Sequence, residues 1–152
     1  MVIPMMTVQM GCGRMQKVGY SHYASVDSKC WTRDMLCAFD VDTDYDSTFF
    51  TPGNYDVVVS VRHNSCYPYS TLRLAMETAS LESAPHADTI TLRLAADDGA
   101  WLGRKTGPLY IVSDTVMRNV WIGRSWEATL THAAAADTLA GINDLGIILL
   151  KR

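Results

Sequence analysis

The sequence predicts an all-β domain, an antiparallel β-sandwich that is jelly-roll-like and has about eight strands. Three observations carry that prediction. From Lys17 onward apolar and polar residues alternate with period two, the pattern of a strand with one face in a core and the other in water. Helical periodicity is nearly absent. Turn-forming clusters fall between the alternating runs: Thr51-Pro52-Gly53-Asn54, Tyr67-Pro68, Ala84-Pro85, Asp98-Gly99, Thr106-Gly107-Pro108 and Gly123.

Taken in chain order, residues 18–26 and 31–41 read as strands, with Cys37 sharing the Met35 and Phe39 face as a small core residue. Tyr55, Val57, Val59 and Val61 point one way, while Asp56, Ser60 and Arg62 point toward solvent and only Val58 breaks the contrast. Leu72, Leu74 and Met76 alternate with Thr71, Arg73 and Glu77, and Ile90, Leu92 and Leu94 alternate with Thr89, Thr91 and Arg93. Residues 109–112 form a short further strand. Trp126, Ala128 and Leu130 oppose Glu127, Thr129 and Thr131. Residues 133–139, starting with four alanines, predict a short helical turn, and the apolar run 145–150 predicts a last strand buried on both faces.

At 152 residues the chain fits one domain with a single core. Residues 17–152 form that domain and residues 1–16 an N-terminal segment. A net charge of −3 with 13 scattered basic residues offers no basic stripe for a phosphate backbone, which argues against a nucleic-acid partner. Apolar runs are all shorter than the roughly 18 residues of a membrane span, so a membrane link requires an anchor. The segment Met1 to Met10 is mostly apolar and leads into Gly11-Cys12-Gly13, a small residue before a cysteine, as a bacterial lipoprotein signal presents it. Gln9 and the missing basic n-region depart from that pattern, as a misassigned start or a truncated signal would explain. From these residues alone, an acylated Cys12 and a frayed Met-rich tail are both open readings.

No motif signals a cofactor or a metal. Cys30, Cys37 and Cys66 have neither C-x-x-C spacing nor a nearby His pair. With Cys12 acylated they leave room for one disulfide at most. Asp40-Val41-Asp42-Thr43-Asp44-Tyr45-Asp46 imitates a calcium loop but places Tyr45 where glycine is required and Thr51 where the bidentate glutamate belongs, so it reads as a solvated edge or loop. His22, His63, His86 and His132 stand alone, as surface or satisfied polar residues, and neither G-x-S-x-G nor H-E-x-x-H occurs. Catalytic constellations are thin, and a triad is a matter of spatial geometry.

Function becomes legible through likeness. Val61-Arg62-His63-Asn64, Tyr67-Pro68-Tyr69, Leu72-Arg73-Leu74, Asp88-Thr89-Ile90, Asp98-Gly99-Ala100-Trp101-Leu102-Gly103 and Leu139 to Gly146 occur in an order that resembles the gliding-motility-associated lipoprotein GldH family of Bacteroidetes. Trp31-Thr32-Arg33-Asp34 with Phe39 fits the same pattern. One departure is that Ala133 to Ala136 occupy the region where that family tends to carry a Met-Arg pair, which implies an altered contact there. The resemblance implies a non-enzymatic outer-membrane lipoprotein of the cell envelope, lipidated at Cys12, whose partners are envelope proteins of the gliding and secretion apparatus. Arg62, Asn64, Tyr67, Tyr69 and Trp101 are the candidate binding patch, because Tyr, Trp and Arg are enriched in interface hot spots. A structural role competes with it: the tyrosine rings can close a strand crossover, and the glycines beside Trp101 can allow a tight bend over a buried indole. A rival functional class is a carbohydrate-binding or carbohydrate-processing sandwich, with the aromatics stacked on sugar rings and Asp97 or Asp98 supplying polar contacts.

Overall fold

In the computed structural model, residues 16–44 and 50–152 are described, and they form eleven strands and one four-residue helix. These are β1 (Lys17–Ser25), β2 (Trp31–Thr32), β3 (Cys37–Asp40), α1 (Val41–Asp44), β4 (Gly53–His63), β5 (Thr71–Ala79), β6 (His86–Arg93), β7 (Arg104–Thr106), β8 (Leu109–Ile122), β9 (Glu127–His132), β10 (Thr138–Leu139) and β11 (Ile142–Lys151). All pairings are antiparallel. One sheet has the order β1-β11-β4-β8-β7, a second β3-β9-β5-β6, and β10 and β2 form a small ribbon.

The topology is that of a long hairpin rolled into two layers. The chain's first half pairs with its second half from the ends inward, β1 with β11, β3 with β9, β4 with β8 and β5 with β6. The pairs β1/β11 and β4/β8 join edge to edge through β11 and β4, and β3/β9 and β5/β6 join through β9 and β5. This is the jelly-roll arrangement that the alternation predicts.

Between the layers lie Tyr55, Val57, Val59 and Val61 of β4 with Leu145, Ile147 and Leu149 of β11. Facing them are Leu72, Leu74 and Met76 of β5, Leu92 of β6, Ala128 and Leu130 of β9, and Cys37 and Phe39 of β3. Cys37 is buried as expected, and burial pushes its thiol pKa up to about 11. Met35 does not share that face: it precedes the strand and is 47% exposed. Cys30, Cys37 and Cys66 are all free thiols.

Three further expectations are corrected. Ala133 to Ala136 do not start a helical turn. Four alanines cannot meet the cost of nucleation between β9 and β10, and the Arg33 guanidinium takes the carbonyls of Ala134 and Ala135 instead. The last strand is buried fully on its inward face, but Ile148 and Leu150 on the other face are only half-buried. The outward side of β4, finally, is not solvated: Asp56 and Ser60 are 1% and 0% exposed. Ser60 Oγ accepts hydrogen bonds from Tyr23 Oη at 2.9 Å and Ser113 Oγ at 2.8 Å. Of the aspartate-rich segment 40–46, Asp40 ends β3 and Asp42 is exposed in α1; Tyr45 and Asp46 lie outside the described residues, as does Cys12.

Asp56 ties Gln16 and the C-terminal Arg152 to the sheet. Its carboxylate accepts from Gln16 Nε2 at 2.8 Å, the Asn119 amide at 2.9 Å and Arg152 Nε at 2.7 Å. Burial pushes its pKa up, but the bonds from Arg152, Gln16 and Asn119 and the Arg152 charge outweigh it and hold the pKa below the ordinary value. A depressed carboxyl contributes stability that is complete above the unfolded value of about 3.9 and is lost as pH falls through the lower folded value. Asp56→Ala is therefore expected to cost about 1–3 kcal/mol at pH 7, with the wild-type and variant urea midpoints converging below about pH 4. Parallel curves down to the acid limit would contradict the role given to this carboxylate.

Candidate functional site

The register separates the two ends of the sandwich. One end gathers the start of β1, the end of β11, the start of β4 and the end of β8, since Lys17 pairs with Lys151, Lys151 with Tyr55, and Gly53 with Ile122. The opposite end gathers the loops between β4 and β5, β6 and β7, and β10 and β11. The three segments richest in unusual residues, Val61 to Tyr69, Asp98 to Gly103 and Leu139 to Gly146, converge there.

The convergence is held by backbone contacts. The Asn64 amide donates to Gly141 O at 2.9 Å, and the Asn64 side chain donates to Asn143 Oδ1 at 3.3 Å and accepts from the Cys66 amide at 2.9 Å. Asn64 thus folds the β4–β5 loop onto the strand that follows β10. Leu94 and Ala95 donate to Ser70 O, and Ala95 bridges Trp101, so the β6–β7 loop closes beside the same turn. Within it Gly99 donates to Ala96 O and the Ala100 amide to Asp98 Oδ1, so Asp98-Gly99 makes the turn that the sequence predicts.

An aromatic cluster sits at this end around His63. The imidazole is fully buried, with its ring centroid 4.7 Å from Trp101, 5.4 Å from Tyr110 in a near-parallel stack, and 6.1 Å from Tyr67. Nδ1 lies 3.0 Å from Asn64 O, while Nε2 is buried without a hydrogen-bond partner. Burial lowers the His63 pKa, outweighing the Asn64 carbonyl, so the ring is held neutral at neutral pH.

The five residues of the expected patch are divided. Tyr67 is 2% exposed and its hydroxyl donates to Thr71 O at 2.6 Å. Its phenol pKa is raised by burial and by Tyr69. It supports the end rather than presenting itself. Tyr69 packs edge-on against Tyr67 at 5.7 Å and is 49% exposed. Trp101 is half-buried against His63 and Tyr110, between core and surface. Arg62 points to the other side of β4, where its guanidinium lies 3.8 Å over the Tyr23 ring and 3.9 Å from Asp144. Close approach of that ring needs Gly146, where a Cβ would come within 2.6 Å of it.

The candidate patch left out His63, Tyr110, Tyr23 and Asp144, although His63 and Asp144 lie in the motif segments themselves. Their signal lies in pairing: His63 is opposite Tyr110 across β4 and β8, and Arg62 opposite Asp144 across β4 and β11. Lys105, with Nζ 5.6 Å from the Tyr110 ring, adds a cation to the rim. Among the described residues no group of three or more His, Cys, Asp or Glu side chains could hold a metal ion, and no helix is long and apolar enough to cross a membrane.

Comparison with known proteins follows the same residues. The profile of the GldH lipoprotein family matches residues 18–149, which include every segment meeting at this end. The chain belongs to the GldH lipoprotein family. It is 26% identical over 134 residues to the gliding motility lipoprotein GldH of Flavobacterium johnsoniae, covering 84% of this chain and 80% of that one. It is 32% identical over 84 residues to a gliding motility lipoprotein GldH homolog of Christiangramia forsetii, covering 55% of this chain; that match spans 48% of the relative's length. Among solved structures, a carbohydrate-binding module from the glycoside hydrolase family 9 enzyme Cel9A of Ruminococcus flavefaciens has a similar fold. The TM-score is 0.50 at 12% identity, over 90% of this chain and all of the module. The GldH family chain and that module thus share a sandwich fold.

Proposed function

We propose that this GldH-family chain is a non-enzymatic lipoprotein of the cell envelope, held at the outer membrane through an acylated Cys12. It acts by protein–protein contact within the gliding and secretion apparatus. The observation that supports this reading is the convergence of three separated motif segments at the end of the sandwich opposite to Gln16, the first described residue after Cys12. A tether at one end leaves the other free to meet a partner. There Tyr69 and the outer edge of Trp101 supply apolar area, and Lys105 supplies charge, over a cluster already ordered by the core.

Two measurements test it. Fatty-acid labelling in the native host is expected to mark the wild-type chain and not Cys12→Ala; an unlabelled wild type would defeat the anchor. Tyr69→Ala is expected to weaken capture of envelope partners at least 10-fold while leaving the thermal midpoint unchanged, because a half-exposed ring loses little core packing. The carbohydrate-binding reading is favoured by one observation, that half-exposed aromatics share a rim on a sandwich. Saturable changes in tryptophan fluorescence on titration with envelope glycans, abolished by Tyr69→Ala, would establish it in place of protein contact.

A further inference from the structure

The end of the sandwich that holds Gln16 differs from the partner end in what it exposes. Trp121, near the end of β8, is 52% exposed, and Val18 at the start of β1 is 44% exposed. Both belong to the five-stranded sheet: Trp121 pairs with Asn54, and Val18 with Leu150. Leu81, on the β5–β6 loop, is 92% exposed. The loop is pinned to the β8–β9 turn that follows Trp121, with the Leu81 amide donating to Ser125 Oγ at 3.0 Å and Ser125 Oγ donating to Glu82 Oε2 at 2.8 Å. Among the described residues, the other large exposed apolar side chains, Met35, Leu36 and Tyr69, are not at this end.

Charge follows the apolar tips. Lys17, Arg118, Arg124, Lys151 and Arg152 stand on the five-stranded side of this end, where Asp56 is the acid among the described residues and is buried against Arg152. The acidic groups Asp40, Asp42, Glu82 and Glu127 belong to the four-stranded side and its loops. The lip of the larger sheet, tipped by Trp121 and Val18, is therefore basic. Leu81 is brought beside it by the β5–β6 loop of the smaller sheet, whose Glu82 carboxylate accepts from Ser125 Oγ in the β8–β9 turn, while Asp40, Asp42 and Glu127 lie on the four-stranded side. A tryptophan with a flanking aliphatic tip and several Lys and Arg is suited to the interfacial zone of a bilayer, where an indole sits at headgroup level and cations are drawn to an anionic surface.

We propose that this lip seats on an anionic bilayer surface, with Trp121 and Leu81 entering the headgroup region. The proposal rests on the envelope-lipoprotein reading for its biological setting. Four residue steps separate Cys12 from Gln16, a reach of at most about 14 Å, so an acyl group on Cys12 would hold this end, and no other, against the membrane. The seat would fix the orientation of the sandwich and direct the Tyr69 end away from the bilayer.

The test uses the full chain carrying Cys12→Ala, so that no acyl chain contributes. It is mixed at low ionic strength with vesicles of brominated phosphatidylglycerol at millimolar lipid, about the effective concentration that a short tether supplies. Bromine quenches indole fluorescence only at close range, and the four tryptophans separate the two ends: Trp31 and Trp126 are buried at 0% and 2% exposure, Trp101 lies at the partner end and Trp121 at the lip. The expected result is quenching that is lost in Trp121→Phe, weakened in Leu81→Ser and removed by about 0.5 M salt. No quenching overturns the proposal. So does quenching that survives Trp121→Phe and disappears in Trp101→Phe, since that would turn the partner end to the membrane. Absence of fatty-acid label on wild-type Cys12 would remove the tether and leave the quenching result standing.

Discussion

Trp31→Ala is expected to remove about 3–5 kcal/mol of stability. The indole is fully buried, although β2, which carries it, is only two residues long and pairs only with β10. So short a ribbon has little ladder of its own, and the side chain does the joining. Trp31 meets the His132 ring edge-on at 5.1 Å and its Nε1 donates to Met35 O at 2.8 Å, which ties the β2–β3 turn to β9. Truncation would leave a cavity of indole size, an amide oxygen without its donor and a buried His132 without its neighbour. Burial is the main cause of His132's lowered pKa, so a ring opened to water would also titrate nearer its ordinary value. Small domains hold about 5–15 kcal/mol in all, so the variant should unfold at a far lower urea concentration. A loss below about 1 kcal/mol would mean that the ribbon does not help close the sandwich.

How this fold was read from its sequence depends on whether a strand keeps phase. The 53–63 and 71–79 strands are regular through the core, and their alternation gives their inward faces almost without error. The strand at 109–122 is the longest of the described residues, yet alternation revealed only its first four. Two bulges explain the difference. Tyr55 and Val57 oppose Val120 and Met117, and Val58 opposes Thr115, so β8 spends an extra residue at each step and its inward set changes parity. The Ala run at 133–136 misled for the opposite reason: its intrinsic preference is helical, and a distant guanidinium from Arg33 overrides it.

The candidate patch was legible as residues that meet in space and not as a surface. Tyr67, Tyr69 and Trp101 do come together, but burial sorts them into support, exposed tip and border, a distinction that depends on neighbours contributed by β4 and β8. Arg62 and His63 are adjacent in sequence and face opposite sides of one sheet, so a linear patch that contains Arg62 cannot be one continuous surface with the His63 cluster. Polar residues on the outward face of β4 read as solvated because nothing local announces Tyr23, Ser113 or Arg152 as their partners.

Gly141→Ala should separate the partner end from the rest of the fold. Gly141 has φ +95°, and a Cβ there would stand 2.4 Å from the Tyr67 amide nitrogen and 2.6 Å from its Cα, both backbone atoms that cannot rotate away. Gly99 supplies the control, because its φ of +87° is just as unfavourable for alanine while nothing lies within 4 Å of its Cβ position. Backbone strain alone makes Gly99→Ala cost about 1–2 kcal/mol. Gly141→Ala adds overpacking of about 1–3 kcal/mol, for a total of about 2–5 kcal/mol. The collision also has a direction. It pushes Tyr67 and with it the ring of Tyr69, and it strains the Asn64 to Gly141 bond that holds the β4–β5 loop. Partner capture should therefore fall in Gly141→Ala at temperatures where the variant is still folded by circular dichroism, and should be preserved in Gly99→Ala. Equal capture by the two variants, after matching for folded fraction, would show that the geometry around Tyr67 and Tyr69 does not set the contact, and the recognising surface would have to be sought on the Arg62 and Tyr23 side of the sheet.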